Sequence, residues 1–344
     1  MSATAPLVQV FGPSGGDAHD GGNHPERPER IAAVMAGVAE VAQVLGSDLV
    51  VTAPEQATRA QLEEVHTRAY IDRLEQLCAS GGGHIDPDTF VQPDSWDAAL
   101  RSAGAGVQAA AALRAAGTGV AFVAARPPGH HALARTGMGF CLFNNVAVTA
   151  AALAAEGERV LIVDWDVHHG NGTQDIFWND PRVLYVSTHQ SPWYPGTGAA
   201  DEVGGPDALG LTVNVPLPAG ATGDVVARAL HEVAAPVIDA FGPTWVLVSA
   251  GYDAHRDDPL SDLSLGSADY ALLAHEVAQY ASAPGRLIML LEGGYSLEAL
   301  RTSVAATLGA VAGLPEMIGE TTSGGPGTEA VRQAHDVRER ALNQ

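Results

Sequence analysis

Three residues with metal-ligand chemistry stand at alternate positions after an apolar run: Asp164, Asp166 and His168 in DWDVHHGNG. In an extended chain, residues two apart point to the same side, so these side chains can converge on one ion. Asp253 follows another apolar run and can supply a ligand from across a crevice. Three protein ligands with an open fourth position are typical of catalytic zinc. Imidazole and carboxylate ligands without thiolate favour Zn²⁺, although Fe²⁺ and Co²⁺ also fit this set.

Two further motifs carry groups that could serve as acid, base and oxyanion donor. RPPGHH ends with His130 and His131, and adjacent histidines suit a general base and an electrostatic partner beside an activated water. Asp164 and Asn171 are the candidates to hold their far ring nitrogens. The histidine paired with the neutral Asn171 would accept a proton more readily near neutral pH. EGGY ends with Tyr295, whose hydroxyl could donate to an oxyanion opposite the metal.

Short apolar, β-branched runs precede these motifs and alternate with Ala-rich helical stretches. The continuous hydrophobicity of these runs is typical of strands buried on both faces of a parallel sheet. The runs cover residues 120–123, 160–163, 183–186, 211–215, 245–248 and 287–291. The predicted helices cover about residues 98–116, 145–156, 224–241 and 267–282. This alternation predicts an α/β fold, a three-layer sandwich with a central, mostly parallel sheet. One DxD motif alone would more often cap a strand, but several polar strand ends together indicate a shared ligand crevice.

The charge composition excludes one class of partner. The chain has 344 residues; its 18 basic residues are all arginine and stand against 40 carboxylates, which gives a formal net charge of −22. A surface this acidic repels phosphate backbones, so we expect no direct contact with nucleic acid, whereas polyamines and basic protein tails would be attracted. Solubility alone also explains such acidity.

The remaining sequence-wide features concern location and domain organisation. Cys78 and Cys141 are too few for a disulfide framework, and we find no secretory signal and no apolar run of roughly 18 residues, so we expect a cytoplasmic protein without a membrane span. We expect a single catalytic domain over residues 1–314. Residues 315–344 turn to Gly, Ser, Thr and Pro and then to Arg and Glu, which predicts a linker followed by a weak helix or a disordered tail. The sequence leaves the oligomeric state open.

Taken in order along the chain, these motifs resemble the histone deacetylase and acetylpolyamine amidohydrolase superfamily, most of all class II histone deacetylases and their bacterial relatives. The resemblance covers roughly residues 19–305. It rests on HPERPERI (24–31), DTFVQPDSWDAAL (88–100), RPPGHHA (126–132), GFCLFNNVAV (139–148), DWDVHHGNGTQDIF (164–177), PGTG (195–198), NVPLPAG (214–220), AGYDAHRDDPL (250–260) and EGGYSLEAL (292–300). It implies an arginase/deacetylase-like fold and a zinc-dependent amidohydrolase that removes acetyl or other acyl groups from amines.

The resemblance also implies a role for each matched residue. The zinc ligands would be Asp166, His168 and Asp253. His131 would act as general base and then acid, with His130 as an electrostatic partner backed by Asp164, and Tyr295 would polarise the scissile carbonyl. The residues implied to line the substrate tunnel and its rim are Gly139, Phe140, Tyr194, Leu260 and Gly294. Arg30 matches a position near an internal acetate-exit cavity. A structural potassium ion would involve Asp164, Asp166, His168, Ser187 and Thr188.

Two positions bear on the substrate. Tyrosine at position 295, where poorly active family members carry histidine, favours an active enzyme over a silent acyl-lysine binding module. Leu260 stands where the polyamine-specific animal relative carries a glutamate, so acylated lysine in peptides or proteins is preferred over acetylated polyamine. Asp88 or Asp94 would grip the substrate backbone at the rim. An arginase-like two-metal hydrolase is the rival within the same fold, but it leaves the histidine pair of RPPGHH without a role.

Overall fold

The computed structural model describes residues 7–13, 19–314 and 319–343. The strands are β1 Val8–Phe11, β2 Leu49–Thr52, β3 Gly83–Asp86, β4 Thr89–Val91, β5 Val120–Val123, β6 Val160–Asp164, β7 Val183–Gln190, β8 Thr212–Leu217, β9 Trp245–Ala250 and β10 Leu287–Leu291. The helices are α1 Glu29–Leu45, α2 Arg59–Glu63, α3 Arg68–Ala79, α4 Ser95–Ala116, α5 Asn145–Ala155, α6 Asn171–Phe177, α7 Gly223–Ala229, α8 Ala235–Phe241, α9 Ser267–Ala278, α10 Leu297–Val311 and α11 Thr328–Leu342. A 3₁₀ turn, Gly46–Asp48, follows α1, and a π-helical turn, Leu230–Ala234, joins α7 to α8.

Eight strands form one sheet in the order β2-β1-β5-β10-β9-β6-β7-β8. Every pairing within it is parallel, and β3 with β4 forms a separate antiparallel hairpin. The predicted α/β sandwich with a central parallel sheet is therefore confirmed, with the six predicted strands as β5 to β10. The sequence prediction missed β1, β2 and the hairpin, because strands of three or four residues carry little periodicity and β2 and β3 are in addition largely unburied.

Both faces of the sheet are covered by helices, which explains the continuous hydrophobicity of the strands. In β6, Leu161 and Val163 pack into a core with α1 and α7 to α11, whereas Val160 and Ile162 pack into a second core with α2 to α6. Successive strand side chains point to opposite faces, so a strand between two helical layers needs apolar residues at every position. The polar site residues are accordingly confined to the strand ends.

The helical stretch Glu29–Asp48 is the one helix among the described residues that is long and apolar enough, by length and composition, to cross a membrane. Core helices of folded domains pass the same test. In this fold Val34 and Val38 are buried against the sheet and α10. A Cβ added to Gly37 would lie 2.4 Å from the carbonyl oxygen of Arg301 in α10, so the two helices are in close contact. The stretch is therefore weak support for a membrane span.

Residues 319–343 pack against the body of the protein beside the outer strand β8. Val331 in α11 is fully buried. Arg338 donates from its two terminal nitrogens to the carbonyl oxygens of Thr212 and Gly210, both at 2.5 Å. Thr322 donates to the Asp269 carboxylate at 2.7 Å. The predicted domain boundary after residue 314 falls on residues 315–318, which lie outside the described residues, and the division into a domain and a tail stays a prediction.

Candidate active site

Asp166, His168 and Asp253 meet at the carboxyl edge of the sheet, where β6 and β9 are neighbours. Their ligand atoms all lie within 4.8 Å of one another. The Nδ1 atom of His168 lies 3.1 Å from an oxygen of each carboxylate. The main chain holds the carboxylates, because Asp166 accepts from the His168 amide at 2.9 Å and Asp253 accepts from the Val167 amide at 2.9 Å. Both carboxylates are fully buried, and the His168 side chain is 12 % exposed.

Two glycines leave the space in which these carboxylates sit. A Cβ added to Gly251 would lie 2.1 Å from Asp166 Oδ2. One added to Gly293 would lie 2.0 Å from Asp253 Oδ2 and 2.7 Å from Asp166 Oδ2. Real Cβ atoms essentially never approach this closely, so any side chain at either position displaces a carboxylate.

The electrostatics of this cluster favour a cation. Burial opposes the charge on His168, yet its contacts with the two carboxylates raise its pKa to about 10. Burial and the charge of Asp166 raise the pKa of Asp253 to about 7. Two buried carboxylates this close together need a positive charge between them. Among the described residues, the protonated imidazole of His168 supplies one positive charge. A divalent ion would supply two.

His130 and His131 follow β5 and differ in their partners. The Nδ1 of His130 lies 3.0 Å from Asp164 Oδ2, and the Nδ1 of His131 lies 2.8 Å from the Asn171 side-chain oxygen. Burial disfavours a charged His130, but the carboxylates of Asp166 and Asp164 raise its pKa well above the ordinary value. Burial and the charges of His130 and His168 lower the pKa of His131 well below it. The pair thus consists of a cationic ring and a neutral one, with Asp164 and Asn171 as the expected partners.

Glu292 fixes the backbone that carries the two histidines. Its Oε2 accepts from the amides of Gly129 and His130, at 2.6 and 3.1 Å. Burial raises the pKa of Glu292 to about 7. Asn144 supports the other side of the loop by donating to the carbonyl oxygen of Ala132 at 3.2 Å. The histidines are therefore held through their main chain as well as through their rings.

Tyr295 and the histidine pair lie together in a cavity of about 210 Å³. The Tyr295 ring is 8 % exposed and meets Phe140 edge-on, with centroids 5.8 Å apart. Its main-chain amide donates to Asp258 at 2.6 Å. The cavity is lined by Asp88, Pro128, His130, His131, Gly139, Phe140, Cys141, His168, Tyr194, Leu260, Gly293 and Tyr295.

The predicted substrate residues mostly line this cavity. Gly139, Phe140, Tyr194 and Leu260 all do. Phe140 has a left-handed backbone, with φ at 68°, and its amide donates to Thr89 at 3.0 Å. Gly294 is absent from the described lining, and its neighbour Gly293 takes that place. Of the two rim candidates, Asp88 lines the cavity, whereas Asp94 is exposed at the start of α4.

The five residues predicted to bind potassium are Asp164, Asp166, His168, Ser187 and Thr188. Asp164 in β6 is the register partner of Ser187 in β7. The Asp164 carboxylate accepts from the Asp166 amide at 3.2 Å and from the Tyr185 hydroxyl at 3.1 Å. The Ser187 hydroxyl lies 2.9 Å from Nδ1 of His189. The residues are neighbours at one edge of the sheet, and the ion itself stays a prediction.

Sequence reasoning missed several residues of the site. Pro128, Cys141 and Gly293 line the cavity, and Glu26 pairs with Arg126 under the loops, with Nε to Oε1 at 2.5 Å. Each lies within a motif that carries the resemblance, and Cys141 and Gly293 stand next to Phe140 and Gly294, which were singled out. That proximity was the available signal. Their burial and contacts depend on chain segments far away in the sequence.

Comparisons with known proteins identify a matching family. The histone deacetylase domain model matches residues 24–311. A probable deacetylase from Archaeoglobus fulgidus is 42% identical over 278 residues, which are 80% of this chain and 77% of that protein. A histone deacetylase-like amidohydrolase from Pseudomonas aeruginosa is 38% identical over 245 residues, which are 70% of this chain and 64% of that one.

Among solved structures, the crystal structure of the HDA15 HD domain is similar over the whole fold. The TM-score is 0.89 at 33% sequence identity, and the match covers 98% of this chain and 97% of that one. The chain therefore has the arginase/deacetylase-like α/β fold and belongs to the histone deacetylase family, a family of deacetylases and amidohydrolases.

Proposed function

We propose that this chain is a zinc-dependent deacylase that hydrolyses acetyl or other acyl groups from lysine side chains. One observation carries the proposal: His131, Tyr295 and His168 line one narrow cavity, and His168 belongs to the Asp166–His168–Asp253 cluster behind its wall. These are a metal triad, a base and an oxyanion donor within reach of one bound amide.

The donor set fits zinc. One imidazole and two carboxylates are borderline-to-hard ligands, and three of them leave a position open for water or substrate. Their atoms already lie within 4.8 Å of one another, and the absence of side chains at 251 and 293 makes room for both carboxylates. When bound, zinc supplies Lewis acidity, which activates water and polarises an amide carbonyl.

His131 is placed to move the protons. Its Nδ1 is engaged by Asn171, so Nε2 is the nitrogen that exchanges protons in the cavity. A neutral ring can accept the proton of the attacking water and later donate it to the leaving amine nitrogen. Asp164 and Asp166 hold His130 in its cationic form. Its positive charge disfavours protonation of His131 before the reaction begins.

Tyr295 is placed to stabilise the oxyanion. Burial raises the pKa of its phenol well above the ordinary value, although the Arg30 charge opposes this, so the hydroxyl keeps its proton and can donate it in a hydrogen bond. The ring is held between Phe140 and the guanidinium of Arg30. Because the donor is fixed before the substrate binds, it costs little reorganisation during the reaction.

The cavity walls favour acyl-lysine over acetylated polyamine. Phe140 and Tyr194 offer aromatic surface to a chain of methylene groups, and Leu260 at the rim offers nothing to a distal ammonium. Asp88, also in the lining, can accept from a peptide amide of a bound substrate. We propose an acylated lysine within a peptide or protein as the substrate.

Turnover on a substrate panel tests the proposal. We expect hydrolysis of acetyl-lysine peptides, loss of activity with a chelator, and recovery with one equivalent of zinc. Acetylated polyamines should give a lower kcat/KM, and a higher value would reverse the substrate assignment. Two Mn²⁺ ions per chain would contradict the single-metal site, and a fully zinc-loaded chain that cleaves no acylated amine would instead be a binding module.

The general base has its own test. His131→Ala should keep its zinc and lose about 10²–10⁴-fold in kcat, the usual contribution of a positioned base. The matched control is His231→Ala, which removes an exposed histidine from the π-helical turn and should leave turnover unchanged. Full activity of His131→Ala would refute its assignment.

A potassium ion beside Asp164 and Ser187 is a secondary part of the proposal. It would couple the ends of β6 and β7, which are register partners at these two residues. Exchange of potassium for a bulky organic cation should lower both thermal stability and kcat. No response to that exchange would remove the ion from the proposal.

A further inference from the structure

A buried group of three charged residues lies beneath two loops: the histidine loop, which follows β5 and carries His130 and His131, and the tyrosine loop, which follows β10 and carries Tyr295. Glu26, Arg30 and Arg126 are each 0 % exposed. Glu26 accepts from Arg126 through both oxygens, at 2.5 Å from Nε and 2.6 Å from Nη2. The same carboxylate accepts from Arg30 Nη1 at 3.1 Å. One carboxylate therefore joins two buried guanidinium groups.

Arg30 connects this group to the loop that carries Tyr295. Its Nε donates to the Gly294 carbonyl oxygen at 2.6 Å, and its Nη2 donates to the Glu292 carbonyl oxygen at 2.5 Å. Its guanidinium carbon lies 4.8 Å from the centroid of the Tyr295 ring. Arg30 thus holds both the main chain before Tyr295 and the ring itself.

Arg126 connects the group to the loop that carries the histidines. It is the residue from which the chain turns into Pro127 and on to His130. The Glu292 carboxylate returns from the tyrosine loop to the histidine loop, where it accepts from the amides of Gly129 and His130. The two loops are therefore linked twice, once through Glu26 and Arg30 and once through the Glu292 carboxylate.

A buried ion pair is by itself weak support for a stabilising role, because the cost of removing the charges from water offsets their attraction. This group also lies where two loops from β5 and β10 must keep a fixed separation. The two strands are neighbours, and their loops carry the proposed base and the proposed oxyanion donor. Misplacement of about 1 Å between such groups can cost on the order of 10²-fold in rate.

We propose that Glu26 is a positioning residue that fixes the Tyr295 hydroxyl relative to His131 by holding Arg30 and Arg126 at once. This inference rests on the proposed deacylase function. Glu26 does not line the cavity, so it acts through Arg30 on the tyrosine loop.

The test is a double-mutant cycle between Glu26→Gln and Tyr295→Phe on an acetyl-lysine peptide. Glu26→Gln keeps the shape of the side chain and removes its charge. We expect kcat to fall about 10- to 100-fold with KM within about twofold, because Phe140 and Tyr194 still form the walls. In the Tyr295→Phe background the same change should cost less than about threefold, because the hydroxyl that Glu26 positions is already gone.

Glu158→Gln is the matched control. Glu158 also accepts from two arginines, Arg286 at 2.7 Å and Arg114 at 3.3 Å, but it lies at the opposite edge of the sheet before β6. It should lower the melting temperature and leave kcat of the folded enzyme unchanged. Circular dichroism at the assay temperature shows whether each variant is folded.

Equal losses of kcat from Glu26→Gln in both backgrounds would overturn the inference, as would a variant that loses only thermal stability. If Glu26→Gln does not fold, Glu26→Asp takes its place in the same cycle, since it keeps the charge and is too short to hold both arginines. A wild-type chain without deacylase activity overturns the proposed function and this inference together. An active wild type with additive losses overturns the role of Glu26 alone.

Discussion

Gly293→Ala gives the sharpest test of the metal site, because it adds one methyl group between two proposed ligands. That carbon would lie 2.0 Å from Asp253 Oδ2, and Cβ atoms essentially never come within 3.0 Å of another atom. The Asp253 oxygen must therefore retreat by about 1 Å. Zinc–oxygen bonds are about 2.0–2.2 Å long and tolerate displacements of only about 0.2 Å, so the carboxylate can no longer bind the ion.

We expect zinc affinity to fall by about 100-fold or more, since loss of a mere supporting contact to a ligand already costs about 10- to 100-fold. Turnover should fall in parallel at limiting zinc. The zinc-free variant should fold, with a stability loss of about 1–3 kcal/mol from overpacking. Competition with a chromogenic chelator measures the affinity, and thermal melting with and without zinc separates metal binding from folding.

Gly319→Ala is the matched control for this substitution. A Cβ there would meet only the Ala268 methyl at 3.8 Å, an ordinary contact, so affinity and turnover should match the wild type. If Gly293→Ala binds zinc as tightly as the wild type, Asp253 does not hold the metal in this arrangement. The ligand assignment would then have to be redrawn.

Three further predictions follow from the contacts. Tyr295→Phe should lose about 10²–10³-fold in kcat, the usual cost of one oxyanion donor, and its melting temperature should stay within a few degrees because the ring contacts remain; a loss below tenfold would exclude the hydroxyl from the mechanism. His66 is buried and its pKa is lowered to about 4, with its Nδ1 at 3.0 Å from the Leu133 oxygen and its Nε2 accepting from the Asn144 amide. His66 is therefore protonated near pH 6.5 in the unfolded chain but only near pH 4 in the folded chain. The free energy of unfolding falls as the pH drops through this window, by about 2 kcal/mol at pH 5. In urea unfolding, the free energy of unfolding of His66→Gln should change less between pH 7 and pH 5 than that of the wild type, and an equal change would contradict the linkage. Removal of residues 319–344 uncovers β8 and removes the hydrogen bonds that Arg338 donates to two carbonyl oxygens. The melting temperature, measured by calorimetry, should therefore drop by several degrees. An unchanged melting temperature would mean that α11 contributes no stability.

The centre of the fold was predictable because most strands from β5 to β10 are short apolar runs followed by a distinctive polar motif. Residues buried on both faces leave only the strand ends for polar groups. Asp166 and Asp253 could therefore be placed at one edge without knowledge of the strand order. That the ligand atoms of the triad lie within 4.8 Å of one another required the pairing of β6 with β9, which the sequence pattern does not contain.

The supporting groups were not predictable in the same way. Glu26 stands in HPERPERI, a charged stretch that would ordinarily be placed at the surface, and only the family resemblance placed Arg30 near an internal cavity. Their burial depends on Arg126, which lies 100 residues from Glu26 along the chain. The polar segment around α11 has few apolar residues, and its packing against the protein rests on the buried Val331 and Ala334 and on the hydrogen bonds of the buried Arg338. The cytoplasmic location stays a prediction, because a fold of this kind does not depend on its compartment.

The strand order has a consequence for how the protein would acquire the proposed metal ion. The adjacent strands β6 and β9 carry Asp166 and Asp253, which are 253 − 166 = 87 residues apart in the chain. An ion cannot bring such distant ligands together in the unfolded chain without a large loop-closure cost, so the proposed zinc ion would bind only after the sheet has formed. A ligand that binds only the folded state stabilises it by about 4 kcal/mol at a free concentration 1,000 times its dissociation constant. The lifetime of this protein in a cell would therefore follow the local supply of zinc.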